Sequence, residues 1–143
     1  MPVENVMTRA VKTIEGRKSV EDSIKLMREN DIGCVIVTEK ETPLGMFTER
    51  DLLRKVAEDP DNLHLVMTDA MSKPLKTILP TATIWEAIEV MNNSKIRHLP
   101  VVDGEKLVGI LTQRDILRLF FSHKDLLLAG IGLEEMRRFM KVE

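Results

Sequence analysis

Two short stretches of the chain repeat the same pair of hydrogen-bonding residues. Thr48 stands three residues before Asp51, and Thr112 stands three residues before Asp115, with an apolar run preceding each pair. In one interpretation the threonine caps a helix and the aspartate completes a capping box, which stabilises the helix by about 1 kcal/mol. In the other, the helix N-terminus and the hydroxyl bind a phosphate, and the carboxylate accepts hydrogen bonds from a ribose. The second interpretation predicts a nucleotide site.

One cysteine and three histidines are the other candidates for chemistry. Cys34 lies in an apolar run with no base near it in sequence, which is typical of a small buried side chain. His64, His98 and His123 lack the spacing of metal ligands, both among themselves and with Cys34. The sequence contains no Gly-rich phosphate loop and no recurring Ser/His/Asp set. We therefore expect a binding protein with no metal, no cofactor and no enzymatic activity.

The chain contains two copies of one module. Met7 and Met71 define an offset of 64 residues, and the same offset places residues 48–54 on residues 112–118 in a near-identical block. Gly45 falls on Gly109 under the same shift. A constant offset without a gap indicates an internal duplication.

Each copy predicts the element order β-α-β-β-α. Capping boxes that begin at Ser19 and Thr83 mark the first helix of each copy. The Asp103-Gly104 pair is typical of a hairpin turn between two strands. The predicted extended segments and second helices are 11–14, 34–38, 44–47 and 49–57 in copy one, and 75–78, 98–102, 107–111 and 113–121 in copy two. The predicted buried faces of the second helices are Leu52, Leu53 and Val56 in copy one, and Ile116, Leu117 and Phe120 in copy two.

Composition argues against several classes of function. Lys and Arg total 21 against 23 Asp and Glu, so the net charge of -2 offers no general attraction to nucleic acid or membranes. Trp85 and four Phe are too few aromatic residues for base-stacking platforms. No stretch approaches the roughly 20 apolar residues of a membrane span, and the N-terminus does not have a signal-peptide pattern. We expect a cytoplasmic protein that does not contact a membrane.

The repeated module resembles a CBS domain. The resemblance depends on the βαββα order, the Gly-x-x-Thr-x-x-Asp motif at 45–51 and 109–115, and the sequence Arg-His-Leu-Pro-Val-Val-Asp at 97–103. Two such copies resemble a Bateman module over about residues 1–121. The resemblance implies a mixed α/β (α+β) fold in which two CBS repeats pack pseudo-symmetrically.

The repeat and the resemblance together predict four segments. Copy one spans 1–57, a linker spans 58–68, copy two spans 69–121, and a C-terminal helical extension spans 122–143. The extension is amphipathic, and we predict two short helices broken near Gly130.

The resemblance also implies two ligand clefts, each combining residues of both repeats. The first would contain Thr48, Arg50 and Asp51 with Thr77, Ile78, Arg97, His98 and Pro100. The second would contain Thr112, Arg114 and Asp115 with Thr13, Ile14, Gly33, Cys34 and Val35. Because copy one has Gly-Cys-Val-Ile where copy two has Arg-His-Leu-Pro, we expect the two clefts to differ.

The function implied is a regulatory module that binds AMP, ADP, ATP or S-adenosylmethionine, forms a homodimer and acts on a regulated protein. One alternative is a scaffold dimer that keeps the fold without binding a nucleotide. Another is a nucleic-acid-binding CBS protein that uses local arginines, which the near-neutral net charge makes the least favoured.

Overall fold

A computed structural model describes residues 1–122. The two helices predicted for the tail lie outside the described residues. The chain forms two compact units. The copy-one unit contains residues 10–76 and 104–107, and the copy-two unit contains residues 1–9, 77–103 and 108–122.

The helices and strands follow the predicted order closely. The helices are α1 (Val20–Asn30), α2 (Glu49–Glu58), α3 (Met67–Ala70), α4 (Ile84–Ser94) and α5 (Gln113–Ser122). The strands are β1 (Thr13–Glu15), β2 (Cys34–Glu39), β3 (Thr42–Thr48), β4 (His98–Asp103) and β5 (Lys106–Thr112). Short 3-10 helices lie at Val3–Asn5 and Pro60–His64. The mixed α+β fold with two copies of the module is confirmed.

The first helix of each copy begins where the sequence predicts. Ser19 caps α1 and Thr83 caps α4, each in a reciprocal capping box with the residue three positions later. The side chain of the capping residue satisfies one free N–H of the helix, and the acidic side chain satisfies the N–H of the capping residue itself.

The copy-one unit contains a three-stranded sheet in the order β1-β2-β3. β1 pairs with β2 in parallel, and β2 pairs with β3 in an antiparallel hairpin. β2 is buried along its first five residues, which explains its continuous apolar run. The core packed against this sheet consists of Ile14, Val20, Met27, Val35, Val37, Phe47, Met67 and Ala70.

The copy-two unit contains a smaller sheet, the hairpin β4-β5. The extended segment predicted at 75–78 does not form a strand, because only Ile78 pairs with the sheet, through a single parallel bridge to Val101. Two prolines explain the difference. In copy one, Ile36 N donates to Lys12 O and Gly16 N donates to Thr38 O, extending the ladder on both sides. The equivalent donor positions in copy two are Pro100 and Pro80, which have no N–H.

A second core lies in the copy-two unit. Its buried members come from both ends of the chain and are Val3, Met7, Ile78, Ile84, Ala87, Met91, Leu99, Val101, Leu111, Ile116 and Phe120. Val3 and Met7 thus pack with copy two although they lie at the start of copy one in sequence.

Two equivalent segments, which we call arms, account for this exchange. The first arm is residues 2–8 and the second arm is residues 66–72. Pro2 bridges to Thr83 and Thr8 bridges to Ile110, both in copy two. The second arm makes the same bridges within copy one, from Val66 to Ser19 and from Ser72 to Met46. Each copy is therefore completed by the arm that lies at the start of the other copy. The predicted boundaries at residues 57 and 69 stay a prediction.

The arms explain the glycines of the repeated motif. A Cβ on Gly45 would lie 2.6 Å from Met71 Sδ and 2.7 Å from Ser72 O. A Cβ on Gly109 would lie 2.5 Å from Met7 Sδ. At both positions, glycine leaves room for the methionine of an arm.

One predicted buried face is wrong in part. Leu53 on α2 is 72% exposed, and within the described residues α2 has no fully buried side chain. Leu52 and Val56 are only half-buried. On α5, Ile116 and Phe120 are buried as predicted, Leu117 is half-buried, and Phe121 is 82% exposed.

Among residues 1–122, no helix has both the length and the apolar character needed to cross a bilayer.

Candidate functional site

The Thr-x-x-Asp pair of copy one forms a capping box at the start of α2. Thr48 N donates a hydrogen bond to Asp51 Oδ2 at 2.9 Å, and Asp51 N donates to Thr48 Oγ1 at 3.2 Å. The Thr48 hydroxyl also donates to Asp51 Oδ2 at 3.1 Å. The capping interpretation of these residues is confirmed, and it uses one of the two carboxylate oxygens.

Copy two repeats this geometry at the start of α5. Thr112 N donates to Asp115 Oδ2 at 2.9 Å, and Asp115 N donates to Thr112 Oγ1 at 3.1 Å. Asp115 is buried, with 9% of its surface exposed, whereas Asp51 is half-buried. The two carboxylates therefore share their local role but differ in access to solvent.

The second oxygen of each carboxylate accepts a hydroxyl from an arm. Ser72 Oγ donates to Asp51 Oδ1 at 3.2 Å, and Thr8 Oγ1 donates to Asp115 Oδ1 at 3.4 Å. Arg118 Nη1 also lies 4.0 Å from Asp115 Oδ1. Sequence reasoning missed Thr8 and Ser72, although the offset of 64 residues that relates Met7 to Met71 also places Thr8 on Ser72. Recurrence of a hydroxyl at both positions was the available signal.

The copy-one unit gathers one half of each predicted cleft. Cys34 pairs with Thr48 across β2 and β3, and Glu49 N donates to Gly33 O at 3.0 Å, so the start of β2 lies beside the start of α2. We call residues 33–34 and 48–51 the copy-one edge. At this edge Arg50 is exposed. The predicted residues elsewhere in this unit are Thr13 (exposed) and Ile14 (buried) on β1, and Val35 (buried) on β2.

The copy-two unit gathers the other halves in the same way. Gln113 N donates to Arg97 O at 2.9 Å, which places the start of β4 beside the start of α5. We call residues 97–98 and 112–115 the copy-two edge. Arg97 and Arg114 are exposed, and His98 is half-buried. Ile78 N donates to Pro100 O at 3.0 Å, so these two buried residues are also neighbours, and Thr77 beside them is exposed.

Each predicted cleft takes one set of residues from each unit. The structure brings together the members of a set within a unit. The combination of the two sets into clefts stays a prediction.

The thiol of Cys34 is unreactive at neutral pH. Burial raises its pKa to about 12, and the negative charge of Asp51 acts in the same direction. Because the thiolate is the nucleophile and the metal-binding form, a thiol with this pKa reacts little at neutral pH. The position therefore supplies a small apolar surface.

His98 is held in its neutral form. Burial lowers the pKa of its imidazole, Arg97 lowers it further, and Asp115 opposes them by raising it. A neutral imidazole offers one donor and one acceptor but no charge. Of the two residues predicted to meet a phosphate here, Arg97 therefore supplies the positive charge.

Within residues 1–122, no group of three His, Cys, Asp or Glu side chains is placed to hold a metal ion. The polar groups of both edges act as hydrogen-bonding groups and fixed charges.

Comparison with known proteins places the repeats in a family. The family model of the CBS domain matches residues 3–58 and 66–122. An uncharacterized protein of Methanopyrus kandleri is 42% identical over 120 residues, covering 80% of this chain and 58% of that protein. YhcV of Bacillus subtilis, a CBS domain-containing protein, is 31% identical over 115 residues, covering 80% of this chain and 81% of YhcV.

A solved structure agrees with these matches. The CBS-domain containing protein ATU1752 of Agrobacterium tumefaciens superposes with a TM-score of 0.76 and 29% identity, covering 82% of this chain and 91% of that one. The chain spans 58%, 66% and 31% of three of the curated relatives it matches, less than two thirds of each. Since the family model covers both copies of the module, this chain belongs to the CBS domain family and contains a tandem pair of CBS domains.

Proposed function

We propose that this chain is a regulatory module that binds an adenosyl ligand such as AMP, ADP, ATP or S-adenosylmethionine and has no catalytic activity of its own. CBS-domain pairs are generally regulatory proteins. The binding of the ligand in the predicted clefts would favour one arrangement of the repeats or of a dimer. Such coupling requires that the ligand bind two states with different affinities.

The observation that carries the proposal is that the second carboxylate oxygen of Asp51 and of Asp115 accepts a hydrogen bond from a hydroxyl group. A capping box needs only one carboxylate oxygen, yet Oδ1 of each aspartate already accepts a hydrogen bond from a hydroxyl of an arm. A ribose offers the same kind of donor, and an ionised carboxylate has about four acceptor positions. Both carboxylates are thus oriented by the cap and chemically suited to bind a diol.

The surrounding residues suit the other parts of an adenosyl ligand. Ile14 and Ile78 are buried apolar residues at equivalent positions, which suits a base, and Arg97 supplies a charge for a phosphate. The CBS domain pair of MJ0100 was solved in complex with 5'-methylthioadenosine and S-adenosyl-L-methionine. That structure is 22% identical to this chain, so the likeness concerns the fold alone.

Calorimetric titration of AMP, ADP, ATP and S-adenosylmethionine tests the proposal. We expect saturable binding by the unmodified chain and loss of binding in Asp51→Asn, Asp115→Asn or both. Asp22→Asn is the matched control, because Asp22 occupies the same position in the capping box of α1 and is in neither predicted cleft. Equal loss of binding in the control would assign the effect to folding. No heat with any of the four ligands would leave the scaffold alternative ahead.

We also propose that the chain forms a homodimer through its second helices, with a regulated protein as a further partner. Leu53 on α2 and Phe121 on α5 expose most of their apolar surface, which a subunit interface would bury. Sedimentation velocity should show a dimer that Leu53→Ser and Phe121→Ser convert to monomer. Arg54→Ser changes an exposed polar residue of α2 and should leave the protein dimeric. A wild-type monomer would refute this part of the proposal.

A further inference from the structure

Two residues that are not among those predicted for the clefts contact the aspartates of the clefts. Ser72 Oγ donates to Asp51 Oδ1 at 3.2 Å, and Thr8 Oγ1 donates to Asp115 Oδ1 at 3.4 Å. Each hydroxyl residue lies in the same unit as the aspartate that it contacts. The contact therefore involves a candidate ligand-binding carboxylate and is complete within one unit.

The backbone holds both partners of the copy-one contact in place. Ser72 N donates to Met46 O at 2.8 Å, and Met46 N donates to Ser72 O at 3.1 Å. Met46 lies in β3, which ends at Thr48, and Thr48 begins the capping box that contains Asp51. The hydroxyl is thus held beside one strand, and the carboxylate lies on the helix that follows this strand directly. Replacement of the Ser72 side chain does not remove either backbone hydrogen bond.

Copy two repeats this arrangement with a different hydroxyl residue. Thr8 N donates to Ile110 O at 2.9 Å, and Ile110 N donates to Thr8 O at 2.9 Å. Ile110 lies in β5, which ends at Thr112, and Asp115 follows in the first turn of α5. The hydroxyl group is what Thr8 has in common with Ser72. Its recurrence beside both aspartates indicates that the hydroxyl, and not the whole side chain, is the functional feature.

The hydroxyl restrains the rotation of the carboxylate. The torsion that turns an aspartate carboxylate about its Cβ–Cγ bond has a broad energy minimum. A hydrogen bond to one oxygen restrains this torsion loosely, and a hydrogen bond to each oxygen restrains it more narrowly. In Asp51, Thr48 N donates to Oδ2 and Ser72 Oγ donates to Oδ1. Because each carboxylate oxygen has about two acceptor positions, Oδ1 keeps about one for a hydroxyl of the ribose.

We propose that Ser72 and Thr8 are positioning residues, each of which holds the second oxygen of its aspartate in the orientation that accepts a ribose hydroxyl. This inference rests on the proposed function and adds one residue to each predicted cleft. Ser72 acts on the cleft that contains Asp51, and Thr8 acts on the cleft that contains Asp115. Restraint of a side chain before binding raises the affinity, because less conformational freedom is then lost when the ligand binds.

The two residues should differ in the size of their effect. Asp51 is half-buried, whereas Asp115 is buried with 9% of its surface exposed. Arg118 Nη1 also lies 4.0 Å from the oxygen that Thr8 contacts. Burial and a neighbouring cation both restrain Asp115, so the hydroxyl of Thr8 contributes a smaller share. We therefore expect Ser72 to have the larger effect on binding.

Removal and replacement of the Ser72 hydroxyl test the positioning role. Calorimetric titrations use AMP, ADP, ATP and S-adenosylmethionine, all of which contain the ribose diol. Ser72→Ala should lower the affinity of those that bind by about two- to fivefold. Ser72→Thr should keep the affinity of the unmodified chain, because it retains the hydroxyl and its extra methyl group lies on an exposed residue. Thr8→Val should lower the affinity by less than about twofold.

A ligand without the diol separates positioning from a structural role. 2',3'-Dideoxy-ATP keeps the base and the phosphates of ATP but has no ribose hydroxyl for the carboxylate to accept. Ser72→Ala should therefore weaken the binding of ATP and leave that of dideoxy-ATP unchanged. The preference for ATP over dideoxy-ATP should fall by the same two- to fivefold, about the effect of losing one restrained side chain. A structural role would weaken the binding of both ligands equally.

The results that would overturn the positioning role differ in what else they remove. If any of the four ligands binds and Ser72→Ala binds it as tightly as the unmodified chain, the positioning role is wrong while the proposed function stands. Equal losses for ATP and dideoxy-ATP would also overturn it, as would a loss in Ser72→Thr as large as that in Ser72→Ala. If the unmodified chain binds none of the four ligands, both proposals fail together.

Discussion

The contact between Gly109 and the first arm predicts a destabilisation whose size can be worked out from the structure. In Gly109→Ala the new methyl group would lie 2.5 Å from Met7 Sδ, 2.9 Å from Met7 Cγ and 3.0 Å from Thr8 O. Overpacking of this kind costs about 1 to 3 kcal/mol. Alanine also loses less conformational entropy on folding than glycine, which returns about 0.4 to 1 kcal/mol. The difference between the two terms is a net loss between about 0 and about 2.6 kcal/mol, and we expect a value near the middle, about 1 kcal/mol.

Gly45→Ala in the copy-one unit should be more costly. Its new methyl group would lie 2.7 Å from the backbone oxygen of Ser72, besides 2.6 Å from Met71 Sδ. A side chain can rotate away, but Ser72 O is held by the hydrogen bond that Met46 N donates to it at 3.1 Å. The net loss should therefore approach the upper end of the same range, about 2.5 kcal/mol.

Urea denaturation measures these losses. Trp85 is the one tryptophan of the chain and lies in the copy-two unit, so its fluorescence reports on the unit that contains Gly109. A double-mutant cycle with Met7→Ala separates the clash from other effects. Removal of the methionine side chain should make the double variant more stable than the sum of the single losses predicts, by roughly 1 kcal/mol.

The equivalent cycle of Gly45→Ala with Met71→Ala should show less rescue, because the backbone oxygen stays in place. Gly104→Ala is the control for a loss of stability that does not arise from a clash, so that removal of a methionine side chain should not reduce it. Gly104 has φ 64° and nothing within 4 Å of its added Cβ, so its cost comes from the backbone alone. Additive losses for Gly109→Ala and Met7→Ala would refute the packing argument.

Two further predictions concern titratable groups. Burial lowers the pKa of His98 in the folded chain. Near the ordinary histidine pKa of about 6.5, the unfolded chain therefore binds a proton that the folded chain does not bind. The contribution of the neutral imidazole to the free energy of unfolding is complete above that pH and is lost as the pH falls toward the lower pKa of the folded chain. The free energy of unfolding should therefore fall more between pH 7.5 and 5.5 in the unmodified chain than in His98→Gln, and equal losses would contradict the assignment. Because burial raises the pKa of Cys34 to about 12, we expect negligible reaction with a thiol reagent at pH 8 in the folded chain and rapid reaction in urea; fast labelling of the folded chain would contradict it.

The sequence predicted most of the local structure because local rules govern it. The capping boxes at Ser19 and Thr83 depend on residues three positions apart, and the structure has both. The absence of a strand at 75–78 in copy two could also have been predicted from the sequence. Pro80 and Pro100 occupy the positions equivalent to Gly16 and Ile36, whose N–H groups extend the ladder of β1 in copy one. Recognising this requires the register of the parallel pair.

Other features depend on contacts between distant parts of the chain. Helical periodicity assigned Leu53 to a buried face, but it identifies only the apolar side of a helix, not whether another element covers it. The contacts that the arms make with distant residues leave no periodic pattern in the sequence. Thr8 and Asp115 are 107 positions apart, and the hydroxyl of Thr8 gives no local sign of its partner. The duplication was the one signal that could have linked the arms, through the recurrence of Met-Thr as Met-Ser.

The exchanged arms also set an order for folding during synthesis. The second arm follows copy one directly, so the copy-one unit has all its residues once residue 76 has been made, apart from the hairpin tip at 104–107. The first arm is made at the start, yet its hydrogen-bond partners extend from Pro80 to Asp115. Pairing over such sequence separations is slow, because the intervening chain must first be ordered. We expect nascent chains halted after residue 76 to protect copy one from protease while the first arm is still cleaved, and protection of the arm to appear only after α5 has emerged.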